Sequence, residues 1–414
     1  MASSAFPPIL PEASRIGLLP SEPRVLSKQI QILPVPDIVD SIIQQELARR
    51  ASDVHFESNE NGLTVRFRVD GMLQNACELP LDLRAAMISR IKIMGGMDIS
   101  EHRLPQDGRI KIRQKHRAVD LRISTMPALY GEKVVMRLLD LDNAALPLSA
   151  TGLGENHLRQ ISGLIRQSQG VVFVTGPTGS GKTSTLYACL NDIMSETINI
   201  VTIEDPIEYE MPRATQINVN ERIGLSFATC LRSVLRQDPD VVLVGEVRDL
   251  ETARIAMQAS LTGHLVFATL HTNDAVGAIT RLLNMEIPPY LIAASVNAVL
   301  AQRLVRVLCP VCKSAVEPDE AVRERLGLDP GVTFARARGC DFCQGAAAAG
   351  RTGIFELVTM TPQLRQLVSN RASEAELRDA ARAAGARSLF EDGLSKVLNH
   401  TVAYEELLRV AQPE

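Results

Sequence analysis

The sequence predicts an α/β protein in which a larger core follows a smaller α+β domain. Two observations carry this prediction. From about residue 155 onward, short and nearly continuous apolar runs alternate with helical stretches, a pattern typical of a parallel sheet covered by helices on both faces. Between residues 37 and 140, strands with alternating polar and apolar residues accompany two helical patterns. The 414 residues are enough for two or three domains.

Composition disfavours several classes of function. The chain has 44 Lys and Arg and 48 Asp and Glu, so its net charge of −4 offers no general attraction to nucleic acid or an anionic membrane. Aromatic residues make up only 4%, which disfavours stacking platforms for single-stranded bases. Residues 290–308 form the most apolar stretch, but polar residues interrupt it, and we predict an amphipathic helix there. Without a secretory signal before residue 37, a cytoplasmic location is expected.

The first domain is predicted to begin with a helix and a hairpin. Ile38, Ile42 and Leu47 share a helical stripe, and Asp37 is placed to cap its start. Two alternating stretches follow on either side of Asn61-Gly62, a strong hairpin signal. A helix at residues 83–94 and three more strands complete the domain. The patterns divide the chain into a proline-rich tail (1–36), the first domain (37–140), a linker (141–154), the core (155–308), a cysteine-bearing insert (309–350) and a C-terminal helical part (351–414).

A glycine-rich loop, GPTGSGKT, follows the first apolar strand of the core. It is a P-loop in its required context of strand, loop and helix. The glycines let backbone N–H groups turn toward a β-phosphate, and the helix N-terminus adds positive charge. Lys182 is expected to bridge the β and γ oxygens of ATP, and Thr183 to bind Mg²⁺. The predicted nucleotide-binding residues are Gly176, Pro177, Thr178, Gly179, Ser180, Gly181, Lys182 and Thr183.

Hydrolysis of ATP also needs an acid, and two strands of the core end in one. DVVLVGE ends in Glu246, in the place of a Walker B acid, and INIVTIED ends in Glu204 and Asp205, which we place beside the P-loop strand. A carboxylate there could hold metal-bound water or orient the attacking water. His271 ends the strand HLVFATLH, where it could contact the γ-phosphate. The alternatives are helix caps or solvated turns for the acids and a structural role for the histidine.

Two CxxC pairs in the insert predict a structural zinc site. Each pair directs two sulfurs at one centre, and four thiolates fill a tetrahedral site completely. A redox dithiol is the alternative, but it requires one pair beside a thioredoxin-like unit. A nucleic-acid-binding zinc module is disfavoured because the insert offers no basic or aromatic run near its alanines. The predicted ligands are Cys309, Cys312, Cys340 and Cys343, while Cys77, Cys189 and Cys230 are expected to be buried.

From residue 35 to the C-terminus, these motifs resemble the secretion ATPase family of type II secretion and type IV pilus assembly, the GspE/PilB group. The most specific run is LRSVLRQDPDVVLVGEVRD at residues 231–249. Others are ASDVHFE, RLPQDGRI, TIEDPIEY and TGHLVFATLHTNDA. The resemblance implies a PAS-like domain joined to a RecA-like ATPase core, assembled as a homohexamer. It also implies that Glu204 is the catalytic carboxylate, Glu246 the Walker B acid and His271 the γ-phosphate contact.

The resemblance also brings in arginines. In such hexamers, cations of the N-terminal domain approach the γ-phosphate, and Arg109 and Arg122 lie in matching motifs; a solvated strand face is the alternative. Arg232 and Arg236, which we place on one helix face before the Walker B strand, either reach the phosphates or pair with an acid.

The expected function is an ATPase motor that acts on an inner-membrane platform protein. Type II secretion is the first reading and pilus assembly the second, and the tetracysteine element favours both over pilus retraction. A nucleic-acid motor and a nucleotide-gated regulatory subunit are less favoured. The 36 residues before the first helix are too few for the domain that docks typical secretion members on a bitopic membrane protein, so recruitment by that route is left open.

Overall fold

A computed structural model of the protein describes residues 33–114, 117–139 and 146–413. Most of the tail predicted at residues 1–36, and the first part of the linker predicted at residues 141–154, lie outside the described residues. The chain forms two compact units, Met1–Leu141 and Asp142–Glu414. In the described part of the chain, no helix combines the length and apolarity needed to cross a membrane.

The first unit contains a six-stranded antiparallel sheet in the order β3-β2-β1-β6-β5-β4. Side chains of both helices and of the inner sheet face form one apolar core, which includes Ile42, Phe56 and Ile91. Its elements are α1 (Val35–Arg49), β1 (Asp53–Asn59), β2 (Gly62–Val69), β3 (Met72–Pro80), α2 (Leu81–Met94), β4 (Gln106–Gln114), β5 (Arg117–Ala128) and β6 (Gly131–Leu139). The sequence predicted all of these except β3.

Two local predictions for the first unit were wrong in detail. Helix α1 begins at Val35, so Asp37 lies in the first turn, where its charge suits the positive helix end, and does not cap it. The loop between β1 and β2 consists of residues 60 and 61, and Gly62 already pairs with Asn59. A Cβ at Gly62 would lie 2.1 Å from the carbonyl oxygen of Leu79, so the neighbouring strand requires glycine there.

The second unit is built on a seven-stranded sheet in the order β15-β12-β7-β11-β10-β8-β9, in which only β15 is antiparallel to its neighbour. This mixed α/β architecture confirms the α/β class, whereas the RecA-like core and the PAS-like first domain stay predictions. Its helices are α3 (Glu155–Leu164), α4 (Lys182–Ile193), α5 (Phe227–Val234), α6 (Leu250–Leu261), α7 (Ala275–Asn284), α8 (Pro289–Ser295), α9 (Glu320–Leu326), α10 (Pro362–Ser369), α11 (Glu374–Ala383), α12 (Leu389–Leu398) and α13 (Tyr404–Val410). Its strands are β7 (Gly170–Thr175), β8 (Ile200–Glu204), β9 (Ala214–Asn218), β10 (Val241–Val244), β11 (Leu265–Leu270), β12 (Val296–Leu308), β13 (Lys313–Val316), β14 (Phe334–Ala337) and β15 (Ala348–Thr359).

Strand β7 shows why the core strands are apolar without alternation. Val171 and Phe173 pack into the core on one face of the sheet, and Val172 and Val174 pack into the core on the other. A strand covered on both faces has no solvated side, so every position favours an apolar residue.

Two predictions for the second half of the chain were wrong. Residues 290–308 were expected to form an amphipathic helix, but only a short helix, α8, precedes the long strand β12. β12 lies between β7 and β15, so its apolar residues are buried by both neighbours and by helices. The part after residue 350 was expected to be helical, yet β15 extends to Thr359 and joins the sheet edge before α10 begins.

Candidate active site and metal centre

The P-loop connects β7 to α4, so the N-terminus of α4 follows the loop directly. Gly176, Gly179 and Gly181 have φ angles of +149°, +78° and +87°, a region that favours glycine. A Cβ at Gly176 would lie 2.6 Å from both the carbonyl oxygen of Gln302 and Oγ of Ser180. The predicted glycines are therefore required by the backbone and by close neighbours.

Polar groups of the loop suit a bound anion. Lys182 Nζ donates to the carbonyl oxygens of Gly176, at 2.8 Å, and Pro177, at 3.1 Å. Burial lowers the pKa of Lys182; the charge of Glu246 opposes this shift, and that of Arg303 adds to it. Ser180 Oγ is buried and has no hydrogen-bond partner among the described residues. A nucleotide phosphate would supply an acceptor for both side chains, so the loop fits the predicted ligand.

Glu246 and His271 lie together at the carboxyl ends of β10 and β11, which are adjacent parallel strands. His271 Nε2 is 2.9 Å from one Glu246 oxygen, and Arg248 Nε donates to the other at 2.6 Å. Burial alone would raise the pKa of Glu246, but the hydrogen bond from Arg248 and the charges of Arg248, His271 and Lys182 outweigh it and lower the pKa. The structure thus brings together a carboxylate and three basic side chains, and the pKa of the carboxylate is lowered there.

Glu204 lies elsewhere on the same sheet edge. The prediction that its strand is beside the P-loop strand was wrong, because β10 and β11 separate β8 from β7. Glu204 is only 4% exposed and accepts hydrogen bonds from Tyr187 Oη at 2.5 Å, Thr202 Oγ1 at 2.6 Å and Gln216 Nε2 at 3.3 Å. Burial raises its pKa, although all three donors act in the opposite direction.

Arg109 and Arg122 lie in register on the first unit. Arg109 on β4 is opposite Arg122 on β5, which is opposite Arg137 on β6. Arg109 forms an ion pair with Asp120, a buried carboxylate, and its own side chain is 55% exposed. A contact of either predicted residue with the nucleotide stays a prediction.

Arg232 and Arg236 differ in their surroundings. Arg232 on α5 pairs with Glu251 on α6, which is the pairing that the sequence left open as an alternative. The prediction that Arg236 shares a helix face with Arg232 was wrong, because α5 ends at Val234 and Arg236 lies in the following turn. Its Nη1 donates to the carbonyl oxygen of Arg232 at 2.8 Å. Their contact with phosphate also stays a prediction.

Sequence reasoning missed four residues around the site. Tyr187 on α4 and Gln216 on β9 hold Glu204, and Gln302 and Arg303 on β12 lie beside the P-loop. Gln302 Nε2 donates to the carbonyl oxygen of Ser180 at 2.7 Å. The polar residues that interrupt the apolar stretch at 290–308 were a signal for this pair, but the helix prediction concealed it.

The four insert cysteines form a compact cluster. Their Sγ atoms all lie within 4.8 Å of one another. The Sγ distances are 3.8 Å for Cys309–Cys340, 3.9 Å for Cys312–Cys343 and 3.8 Å for Cys340–Cys343. A tetrahedral zinc with Zn–S bonds of about 2.3 Å has S···S edges of about 3.8 Å. The four sulfurs therefore fit one zinc ion, with β13, α9 and β14 between the two pairs.

Comparison with known proteins places the chain in a family. Residues 28–409 match the model of a family described as Type II/IV secretion system protein. The chain belongs to this family. Membership confirms the resemblance and implies an ATPase that uses a nucleotide and Mg²⁺.

Relatives of this family member include proteins of secretion and pilus systems. It is 49% identical to Type II secretion system protein E of Pseudomonas aeruginosa over 94% of this chain and 78% of the relative. It is 45% identical to Type IV pilus assembly ATPase PilB of Myxococcus xanthus over 94% of this chain and 70% of the relative. Among solved structures, the Legionella pneumophila ATPase DotB has a similar fold, with a TM-score of 0.69 at 20% identity over 91% of this chain and 95% of that one.

Proposed function

We propose that this protein is an ATPase motor that powers pseudopilus assembly and protein export by type II secretion. The observation that carries the proposal is the P-loop, with Lys182, Glu246 and His271 gathered at one edge of the sheet. Similarity to several proteins named Type II secretion system protein E supports the choice of system. A type IV pilus assembly ATPase is the second candidate, favoured by the similarity to PilB.

In the proposed mechanism, the P-loop holds the phosphates and Lys182 contacts the β and γ oxygens. Mg²⁺, held by Thr183 and through water by Glu246, would neutralise charge on the leaving phosphates. Glu246 suits this role because its neighbours keep it ionised. Glu204 accepts a proton from the attacking water, a role that suits a buried carboxyl with a raised pKa. His271 contacts the γ-phosphate.

Arginines are proposed to complete the site. Arg109 and Arg122 would approach the γ-phosphate from the first unit, to which the family resemblance assigns a PAS-like fold, and would screen charge in the transition state. Arg232 and Arg236 are proposed to reach the phosphates when ATP is bound. For Arg232, this requires that it leave Glu251.

Similarity to the secretion ATPase family supports the proposed assembly. We propose a homohexamer that is located in the cytoplasm and associates with the inner membrane through a platform protein. The tetracysteine cluster would hold a structural Zn²⁺, because protein ligands fill all four positions and leave none for chemistry.

Two experiments test this function. The Lys182→Ala variant should lose nucleotide binding and at least about 100-fold in ATP turnover, whereas Arg166→Ala, which removes an exposed ion pair with Asp192, should behave as wild type. Equal turnover in the Lys182 variant and wild type would contradict the proposal. Copurification from solubilised inner membranes should recover a type II secretion platform protein; recovery of only a pilus platform protein would favour the second candidate.

A further inference from the structure

Strand β12 lies directly behind the P-loop. It pairs in parallel with β7, and Ala301 is opposite Thr175, the last residue before the loop. The next two residues of β12, Gln302 and Arg303, lie beside Gly176, the first residue of the P-loop. A Cβ at Gly176 would lie 2.6 Å from the carbonyl oxygen of Gln302 and 3.2 Å from Nη1 of Arg303. The Arg303 guanidinium therefore occupies space beside Gly176 that a larger residue at this position would need.

The same guanidinium reaches a second loop. Arg303 Nη2 donates to the carbonyl oxygen of Asn273 at 2.8 Å, and Nη1 donates to the carbonyl oxygen of Gln302 at 3.2 Å. Asn273 belongs to the segment between β11 and α7 that also carries His271. Thr272 N donates to Thr175 Oγ1 at 2.9 Å, which ties the middle of this segment to the end of β7. Arg303 supplies the next attachment, one residue further along.

The surroundings of Arg303 hold it in this position. The side chain is about half buried, and burial lowers the pKa of its guanidinium. The charges of Asp274 and Glu356 act in the opposite direction and raise this pKa. Its charge also acts on Lys182. Arg303 is therefore a fixed cation beside the P-loop lysine, packed between the two loops that would surround the γ-phosphate.

We propose that Arg303 is a positioning residue for ATP hydrolysis, which ties the His271-bearing segment to β12, the strand that Gln302 joins to the P-loop, and so fixes the distance between His271 and Lys182. The proposal rests on the ATPase function proposed above. Arginine suits this position because one nitrogen of its planar group donates to the carbonyl oxygen of Asn273 while the other donates to that of Gln302, whereas lysine offers a single nitrogen for both.

A merely structural role for Arg303 makes a different prediction. If the side chain only stabilises the sheet, its loss would lower the unfolding temperature of the nucleotide-free protein and leave the turnover of the folded molecules unchanged. If it positions the two loops, its loss would act mainly on kcat, since a misplacement of about 1 Å can cost roughly 100-fold in rate.

The experiment compares Arg303→Gln and Arg303→Lys with wild type and with the exposed control Arg166→Gln. ATP turnover is measured against ATP concentration, and thermal unfolding is measured with and without MgADP. We expect kcat of Arg303→Gln to fall between about 10- and 100-fold, with KM changed less than about threefold, the nucleotide-free unfolding temperature unchanged, and Arg303→Lys intermediate.

Three results would overturn the inference. Turnover of Arg303→Gln within twofold of wild type would do so while leaving the ATPase function intact. A loss of activity that is matched by a lower nucleotide-free unfolding temperature and is not partly restored in Arg303→Lys would assign a structural role. If wild type itself shows no turnover above that of Lys182→Ala, the proposed function fails, and the inference fails with it.

Discussion

Glu204 and Glu246 end two adjacent parallel strands of one sheet, yet their surroundings differ. Glu246 has a side chain that is 22% exposed and contacts Arg248 and His271; burial alone would raise its pKa, but these basic neighbours lower it. Glu204 is 4% exposed and contacts the neutral side chains of Tyr187, Thr202 and Gln216, so burial raises its pKa. The surroundings of the two glutamates therefore shift their pKa values in opposite directions.

The difference divides the chemistry between the two acids. A carboxylate surrounded by cations stays ionised and suits charge stabilisation, whereas a buried one with a raised pKa can take up and release a proton closer to neutral pH. Two titratable groups whose environments move their pKa values apart are a typical acid–base arrangement. On this basis, we propose that Glu246 helps to hold the metal and that Glu204 accepts a proton from the attacking water.

The largest effect is expected at Glu246. Glu246→Gln keeps the size of the side chain but removes the negative charge that interacts with Arg248, His271 and Lys182 and that would face the proposed metal. We expect ATP turnover to fall by roughly 10²- to 10⁴-fold, measured by phosphate release. The control Glu196→Gln changes an exposed acid whose nearest cation, Arg213, is 3.6 Å away, and it should leave turnover unchanged. If Glu246→Gln retains more than a tenth of wild-type turnover, the division of roles is wrong.

A smaller effect is expected at Tyr187 and appears in the pH dependence. The Tyr187 hydroxyl donates to Glu204 and so lowers its pKa; Tyr187→Phe removes that donor and leaves the burial. The pKa of Glu204 should rise further, and the acid limb of kcat should move to higher pH by about one unit. At pH values well above that limb, turnover should stay within a few-fold of wild type.

Tyr130→Phe provides the matched control for this measurement. Tyr130 lies in the first unit, in the turn between β5 and β6, and is 45% exposed. Its substitution should leave the acid limb in place. If the acid limb of kcat lies at the same pH in Tyr187→Phe and wild type, the ionisation of Glu204 does not determine that limb.

Sequence patterns predicted those parts of the site that consist of residues close together in the sequence. The P-loop depends on eight neighbouring residues, and the strands around it are continuous apolar runs, so both were visible. The four cysteines were also predictable, because two CxxC pairs bring their own geometry. The family resemblance added the roles of Glu204 and His271.

What sequence reasoning missed depends on the order of strands in the sheet. Nothing in INIVTIED indicates that two strands separate Glu204 from the P-loop. Nor does the pattern of residues 290–308 distinguish a buried strand from a helix, because β12 is covered on both faces and lacks alternation. Tyr187 and Arg303 gained their partners only through these long-range pairings.

The pH dependence of ATP turnover in wild type and Glu204→Gln tests the central claim most directly. We expect wild-type kcat to rise through an acid limb above the usual glutamate pKa of about 4.3. We also expect Glu204→Gln to bind ATP normally, to lose at least about 100-fold in kcat, and to lose the limb. Glu204→Gln turnover within twofold of wild type, with the same acid limb, would contradict the account.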